Sequence, residues 1–265
     1  MPATNNIDNP PVRESRGIQS IEVGGLLLLA LAHLGRPSAL KDLASEAGMH
    51  PSKAHPYLVS FGKLGLIQQD PATGFYGLGP LALQLGLISL QQVDPIRLAS
   101  AELPRLARTM GQTVGIAIWG NRGPTFVRLE DGPTAVHVTM KHGTVVSVRD
   151  TASGRLFAAY MPLQDVLDAL ALEGGTPKAR LDPRFEADLR RIREQRLSCL
   201  VDGTVKGVTA ISAPVFDGFG KMVLALTVIG PGAVMNGEAN SKQAKELSQH
   251  ADMISAQLGA RPSAL

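Results

Sequence analysis

Two short apolar stripes at helical spacing, broken by one glycine, constrain this chain more than any bulk property. Gly35-Arg36-Pro37-Ser38 reads as a turn ending in an N-cap serine. Leu40, Leu43, Ala44 and Ala47 then recur at i, i+3, i+4 and i+7, the stripe of an amphipathic helix. Gly48 ends it, because glycine takes the left-handed conformation a helix C-terminus often needs. His50-Pro51 opens a second helix with proline at its first position, and Ala54 and Leu58 share one of its faces. An apolar helix from Ile18 to about Ala32 precedes the pair. Leu64–Gln69 and Phe75–Leu78 follow as strands around Asp70-Pro71-Ala72-Thr73-Gly74, a β-hairpin. A plain helical hairpin would need no such addition. Helix-turn-helix plus hairpin predicts a winged helix-turn-helix closed by Gly79-Pro80.

Composition agrees without naming a partner. Of 265 residues 44% are hydrophobic and 18% charged, enough for packed cores and against global disorder. The greasiest run, Gly24 to Ala32, falls short of the ~20 residues of a membrane span. The polar stretch Met1 to Pro11 lacks the pattern of a signal peptide, and a cytoplasmic protein with no membrane partner is expected. Cys199 alone can make neither an internal disulfide nor a multi-cysteine metal cluster. The net charge is +3, but residues 1–80 hold six Lys/Arg and six Asp/Glu, 6 − 6 = 0. DNA binding must therefore rest on pattern. Ser52, Lys53, His55 and Lys63 lie on or beside the second helix, where hydroxyl and ammonium groups reach phosphates and base edges.

Leu81–Leu90 is an apolar helix that can bury itself against a partner chain or its own domain, and Asp94-Pro95 caps another ending at Gly111. The texture then changes. Thr113–Trp119, Thr125–Glu130, Ala135–Met140 and Thr144–Val148 are short strand candidates between Gly/Pro/Asn turns. Thr151-Ala152-Ser153-Gly154 leads into a helix over Arg155–Tyr160, and helices follow at Pro162–Leu172 and Pro183–Arg196. Val208–Phe216 and Met222–Ile229 flank a hairpin turn, and a last helix spans about Glu238 to Leu258. An antiparallel sheet with helices on its faces is an α+β domain. No nucleophile elbow, His-Glu-x-x-His or phosphate loop is present, so no catalytic residue, metal site or cofactor is expected. The arginines among 184–196 alternate with acids and read as a solvated face, and Cys199 has no cationic neighbour to activate it.

Ile18-Gln19-Ser20-Ile21-Glu22-Val23-Gly24, Leu40-Lys41-Asp42-Leu43-Ala44, Ser52-Lys53-Ala54-His55 with Tyr57-Leu58, and Gly65-Leu66 resemble the winged-helix half of IclR-type transcriptional regulators. Thr151-Ala152-Ser153-Gly154-Arg155, Gly207 to Asp217 and Gly230-Pro231 resemble the second half. The resemblance implies a leader at 1–17, a DNA-binding domain at 18–79, a linker helix at 80–94 and a GAF-like effector-binding and oligomerisation domain at 95–265. It implies a homodimer or dimer of dimers on double-stranded operator DNA, with Tyr57 added to the DNA-facing residues. One position departs: Pro56 stands where the family usually carries an arginine. Proline inside a helix costs about 3 kcal/mol, so a later start, a kink or an unusual DNA specificity is expected. For the effector, the resemblance points to the amides of Ala152, Ser153 and Gly154 and to walls at Val208, Ala210, Thr227 and Ile229, with Trp119 as an aromatic candidate. Three of those four wall positions are apolar, which favours an aromatic acid or phenol over a very small acid. The expected function is a ligand-responsive regulator, a repressor of a catabolic operon relieved by that small organic ligand. The alternatives are an activator of the same kind and a small-molecule-binding protein with weakened DNA binding.

Overall fold

The computed structural model describes residues 17–133, 140–174 and 180–260. The chain divides between Gln92 and Val93 into two compact units. In the first, α1 (Gln19–Leu34), α2 (Leu40–Glu46) and α3 (Pro51–Lys63) precede an antiparallel pair, β1 (Ile67–Gln69) and β2 (Tyr76–Leu78), and α4 (Pro80–Gln92). The apolar stripes meet as predicted: Leu27 and Leu31 of α1, Leu43 and Ala44 of α2, and Ala54 and Leu58 of α3 form one core with Ile67 and Tyr76. Gly48, at φ +64°, makes the turn between α2 and α3 in a conformation a side chain would strain. Gly24 is needed for contact, since a Cβ there would lie 2.9 Å from the Tyr57 ring.

Ser38 is not a helix cap. Its N–H and carbonyl pair with Tyr76 at 3.0 and 2.9 Å, so it extends the hairpin as a third, one-residue rung. The cap position is Ala39, whose side chain cannot accept a hydrogen bond. Helix α3 starts at Pro51 and runs through Pro56 to Lys63, so the later start expected of it is not found. Pro56 lacks only the N–H that would bond the Ser52 carbonyl, and Ser52 is solvent-exposed, where water can replace it. No residue of α4 is buried, and Leu83, Leu85, Leu87, Ile88 and Leu90 are all exposed.

In the second unit, α5 (Pro95–Met110) leads to β3 (Thr113–Gly120), β4 (Gly123–Glu130) and β5 (Thr144–Val145). Helices α6 (Ala152–Tyr160), α7 (Leu163–Leu172) and α8 (Pro183–Gln195) follow, then β6 (Ser198–Val201), β7 (Val208–Phe216), β8 (Met222–Pro231) and α9 (Lys242–Gln257). The strands form one antiparallel sheet in the order β5-β4-β3-β8-β7-β6. Alternation along each strand serves two cores. Val114, Ile116, Ile211, Leu224 and Leu226 face Leu103 and Leu106 of α5 and Leu247 and Ile254 of α9. Ala117, Ala225 and Ile229 face Leu156 and Phe157 of α6 and Leu189 of α8. This is the α+β arrangement expected. No helix among the described residues is long and apolar enough to cross a membrane.

Four boundaries differ most from expectation, and the first is in the winged unit: the strand expected over Leu64–Gln69 begins at Ile67, because Leu64 still closes α3 as its C-cap. The strand predicted over Thr144–Val148 ends at Val145, because Ser147 turns the chain: its Oγ accepts from the Arg149 and Asp150 N–H groups at 3.2 and 3.1 Å. Helix α6 begins at Ala152, three residues before Arg155, since Thr151 caps it by accepting the Gly154 N–H at 3.0 Å. Helix α9 begins at Lys242 under a Ser241 cap, not near Glu238. Most of the strand expected at Ala135–Met140 lies outside the described residues.

Candidate functional site

Helix α3 presents one face to solvent. Ser52, Lys53, His55 and Lys63, the residues expected to meet DNA, are all exposed on or at the end of it. Tyr57 is placed differently: it is half-buried, packs with the core and lies against Gly24 of α1. Within the helix, His50 acts as N-cap by accepting the Ser52 N–H at 3.3 Å. No acidic side chain lies on α3. The turn of the β1–β2 hairpin carries no cation, and its Asp70 is occupied in the turn, accepting from the Ala72 N–H and the Thr73 hydroxyl at 2.9 and 2.7 Å. The first of those bonds, then the second, holds the Asp70 carboxyl below the ordinary value.

The second unit holds a cavity of about 270 Å³ between the sheet and the start of α6. Of the residues expected to hold an effector, Ala152, Ser153, Val208, Ala210, Thr227 and Ile229 line it together. Gly154 and Trp119 do not. Gly154 is buried against the backbone of Ser147 and Val148, and the Trp119 ring packs on Phe157 with centroids 5.8 Å apart. Phe126, Met140, Val146, Leu200 and Val205 complete a mainly apolar wall that the sequence alone did not assemble. They come from loops and from β4 and β6, and only the sheet order brings them to the mouth formed by β7 and β8.

Thr144, Ser147, Thr151 and Thr204 add hydroxyls to the lining, and two further sets of polar groups bear on what the cavity can hold. The Ala152 and Ser153 N–H groups open the first turn of α6, where no intrahelical acceptor exists, and they take no partner among the described residues. Because Ala152 and Ser153 line the cavity, the positive end of the helix dipole lies beside it. The hydroxyls of Ser153, Ser212 and Thr227 form a buried triangle with edges of 3.0, 2.8 and 3.3 Å. Ser212 escaped sequence reasoning because only the β7–β8 register, which pairs it with Thr227, reveals it. Asp150 is the one charged side chain among the described lining residues. Among the described residues, amides and not arginine or lysine would hold an anion there.

Cys199 on β6 neighbours Leu200 but packs with the α5 and α9 core on the other face of the sheet. Burial first, then the Glu238 carboxylate, push its thiol up to about 11. At pH 7 roughly one thiol in 10⁴ is then ionised, and only the thiolate attacks. Native protein should accordingly resist iodoacetamide at neutral pH and react readily once unfolded. Rapid native alkylation would contradict this placement.

Residues 20–71 match the IclR helix-turn-helix domain, and residues 88–256 match the bacterial transcriptional regulator IclR C-terminal domain. The chain is 30% identical over 208 residues to the glycerol operon regulatory protein of Streptomyces coelicolor, covering 77% of this chain and 81% of that protein. It is 22% identical over 253 residues to the HTH-type transcriptional repressor AllR of Klebsiella pneumoniae, 94% of this chain and 93% of that one. The crystal structure of Pseudomonas aeruginosa HmgR is similar, with a TM-score of 0.85 and 35% identity, over 92% of this chain and all of that chain.

Proposed function

The chain belongs to the IclR family of bacterial transcriptional regulators, and on that premise we propose that it represses a catabolic operon until a small aromatic acid or phenol enters the α6 cavity. The observation that carries the ligand class is a mainly apolar cavity of about 270 Å³ lined by Ala152 and Ser153, whose N–H groups at the start of α6 have no partner among the described residues. An apolar cavity of about 150 Å³ can already hold benzene, so a substituted single ring fits here. Burying a ring removes on the order of 150–250 Å² from water, roughly 4–6 kcal/mol at ~25 cal/mol per Å². A two- or three-carbon acid has little such surface to bury. Its acidic or phenolic end would sit at Ala152 and Ser153, its body against Val208, Ala210 and Ile229. Calorimetry with the full-length protein tests this: benzoate, phenylacetate or phenol should bind far more tightly than glyoxylate or pyruvate. Tight binding of a small α-keto acid with no response to any aromatic compound would overturn the reading.

The repressor reading is supported by the similarity to AllR, a transcriptional repressor. In the cytoplasm, operator DNA would be met by α3, with Lys53 and Lys63 on phosphates. Each phosphate neutralised contributes about 0.9 to the slope of log K against log salt. Lys53→Ala is therefore expected to weaken DNA binding and flatten that slope by about one unit. An unchanged slope would remove Lys53 from the interface. A homodimer or a dimer of dimers would cover the exposed leucines of α4 and Ile18, Ile21, Leu26 and Leu29 around α1, which are too many to leave to water. Light scattering that returned a monomer at micromolar concentration would refute that assembly.

A further inference from the structure

The outward stripe of α3 carries chemistry that the usual base-reading pairs do not explain. At 100° per residue, Ser52, Pro56, Val59 and Lys63 fall within one narrow sector opposite the buried Ala54 and Leu58. Pro56 is exposed and Val59 is 42% exposed, so the centre of the stripe is apolar. The whole of α3 contains no Arg, Asn, Gln, Asp or Glu. Together with lysine, those are the side chains that read guanine, adenine or cytosine in the major groove by bidentate bonds or by accepting from the base. Of the two lysines of α3, neither lies at the centre of the narrow outward sector, which Pro56 and Val59 occupy. The serines are already engaged: the Ser60 hydroxyl donates to the Pro56 carbonyl at 3.0 Å, and the Ser52 hydroxyl lies 2.8 Å from His50 Nδ1. Lys63 sits in the last turn, whereas base contacts come mainly from the N-terminal part of a recognition helix. Lys53 and His55 flank the stripe.

We infer that this recognition helix selects its operator through thymine 5-methyl groups, which Pro56 and Val59 contact in the major groove. Thymine is the one base that presents an apolar group there. A rigid pyrrolidine ring and a β-branched side chain lose little freedom on meeting it, and neither demands a hydrogen-bond partner. The cations at 53 and 63, with no carboxylate on the helix, hold the ridge against the backbone in any sequence. Pro56 is then a specificity residue in its own right, where an arginine would have preferred guanine.

The test uses the full-length protein and the duplex it selects from a random pool. Thymines in each half-site are replaced one at a time by uracil, which removes only the methyl group. Affinity should fall about fourfold for each methyl that meets Pro56 or Val59, the worth of one buried methyl-sized group. The salt slope should stay the same, because no phosphate contact changes. In Val59→Ser and in Pro56→Ser, the thymine-to-uracil affinity ratio at one position should drop toward one. Equal affinity for all uracil-substituted duplexes overturns the inference, and that comparison needs no variant to fold. A selected site without thymine under the helix, or a ratio that both variants leave intact, overturns it too.

Discussion

Replacing Gly154 by alanine is expected to unseat the start of α6 and abolish effector binding. A Cβ at that position would lie 2.1 Å from the Ser147 carbonyl oxygen and 2.6 Å from the Val148 Cα. Both obstacles are backbone, so no side-chain rotation relieves them. The same Ser147 carbonyl accepts the Thr151 hydroxyl at 2.6 Å, so moving it also loosens the helix cap. Overpacking of this kind costs about 3 kcal/mol or more. It displaces the Ala152 and Ser153 amides, which form the polar end of the cavity. Gly25 in α1 is the contrast: a Cβ there meets nothing within 4 Å, and alanine should be neutral or add up to about 1 kcal/mol. Thermal melting of the two variants checks this, and a Gly154→Ala protein that melts like the parent would contradict the packing described for α6.

Phe157→Ala should be comparably damaging for the opposite reason, a void. Phe157, on α6, is fully buried and meets Trp119 on β3. Truncating a buried phenylalanine costs about 3–5 kcal/mol, part lost transfer energy and part cavity. For a unit of this size that corresponds to a melting point lower by roughly 10 °C. Trp119 fluorescence provides a local readout, since its neighbour is removed while the cavity-lining wall stays in place. A loss below about 1 kcal/mol would mean the second core can collapse around the gap.

The elements were legible where the signal is local. The stripes at 40–47 and 54–58 and the glycine at 48 follow from neighbours within a turn or two, and the structure places helices there. Cavity-lining positions on β7 and β8 were accessible because alternation fixes which residues share a face. What was hidden depends on pairing between distant segments. Ser38 looks like a cap until Tyr76, 38 residues on, takes its backbone bonds. Trp119 shares a sheet face with Ala117 but sits at the end of β3 paired to Pro124, which directs it to Phe157 and not to the cavity. Ser212 reads as one more small residue of a buried strand until the register sets it against Thr227. Tyr57 has a helical phase between the buried and exposed faces, and the bare Gly24 decides it inward.

The central claim is that occupancy of the α6 cavity controls DNA binding, and fluorescence anisotropy of a labelled operator duplex tests it most directly. Coupling between two sites is typically 5–150-fold in affinity. An aromatic acid shown by calorimetry to bind should weaken operator binding of the full-length protein by a factor in that range, and pyruvate at the same concentration should not. An aromatic ligand that saturates the cavity while the operator affinity stays the same would contradict the account.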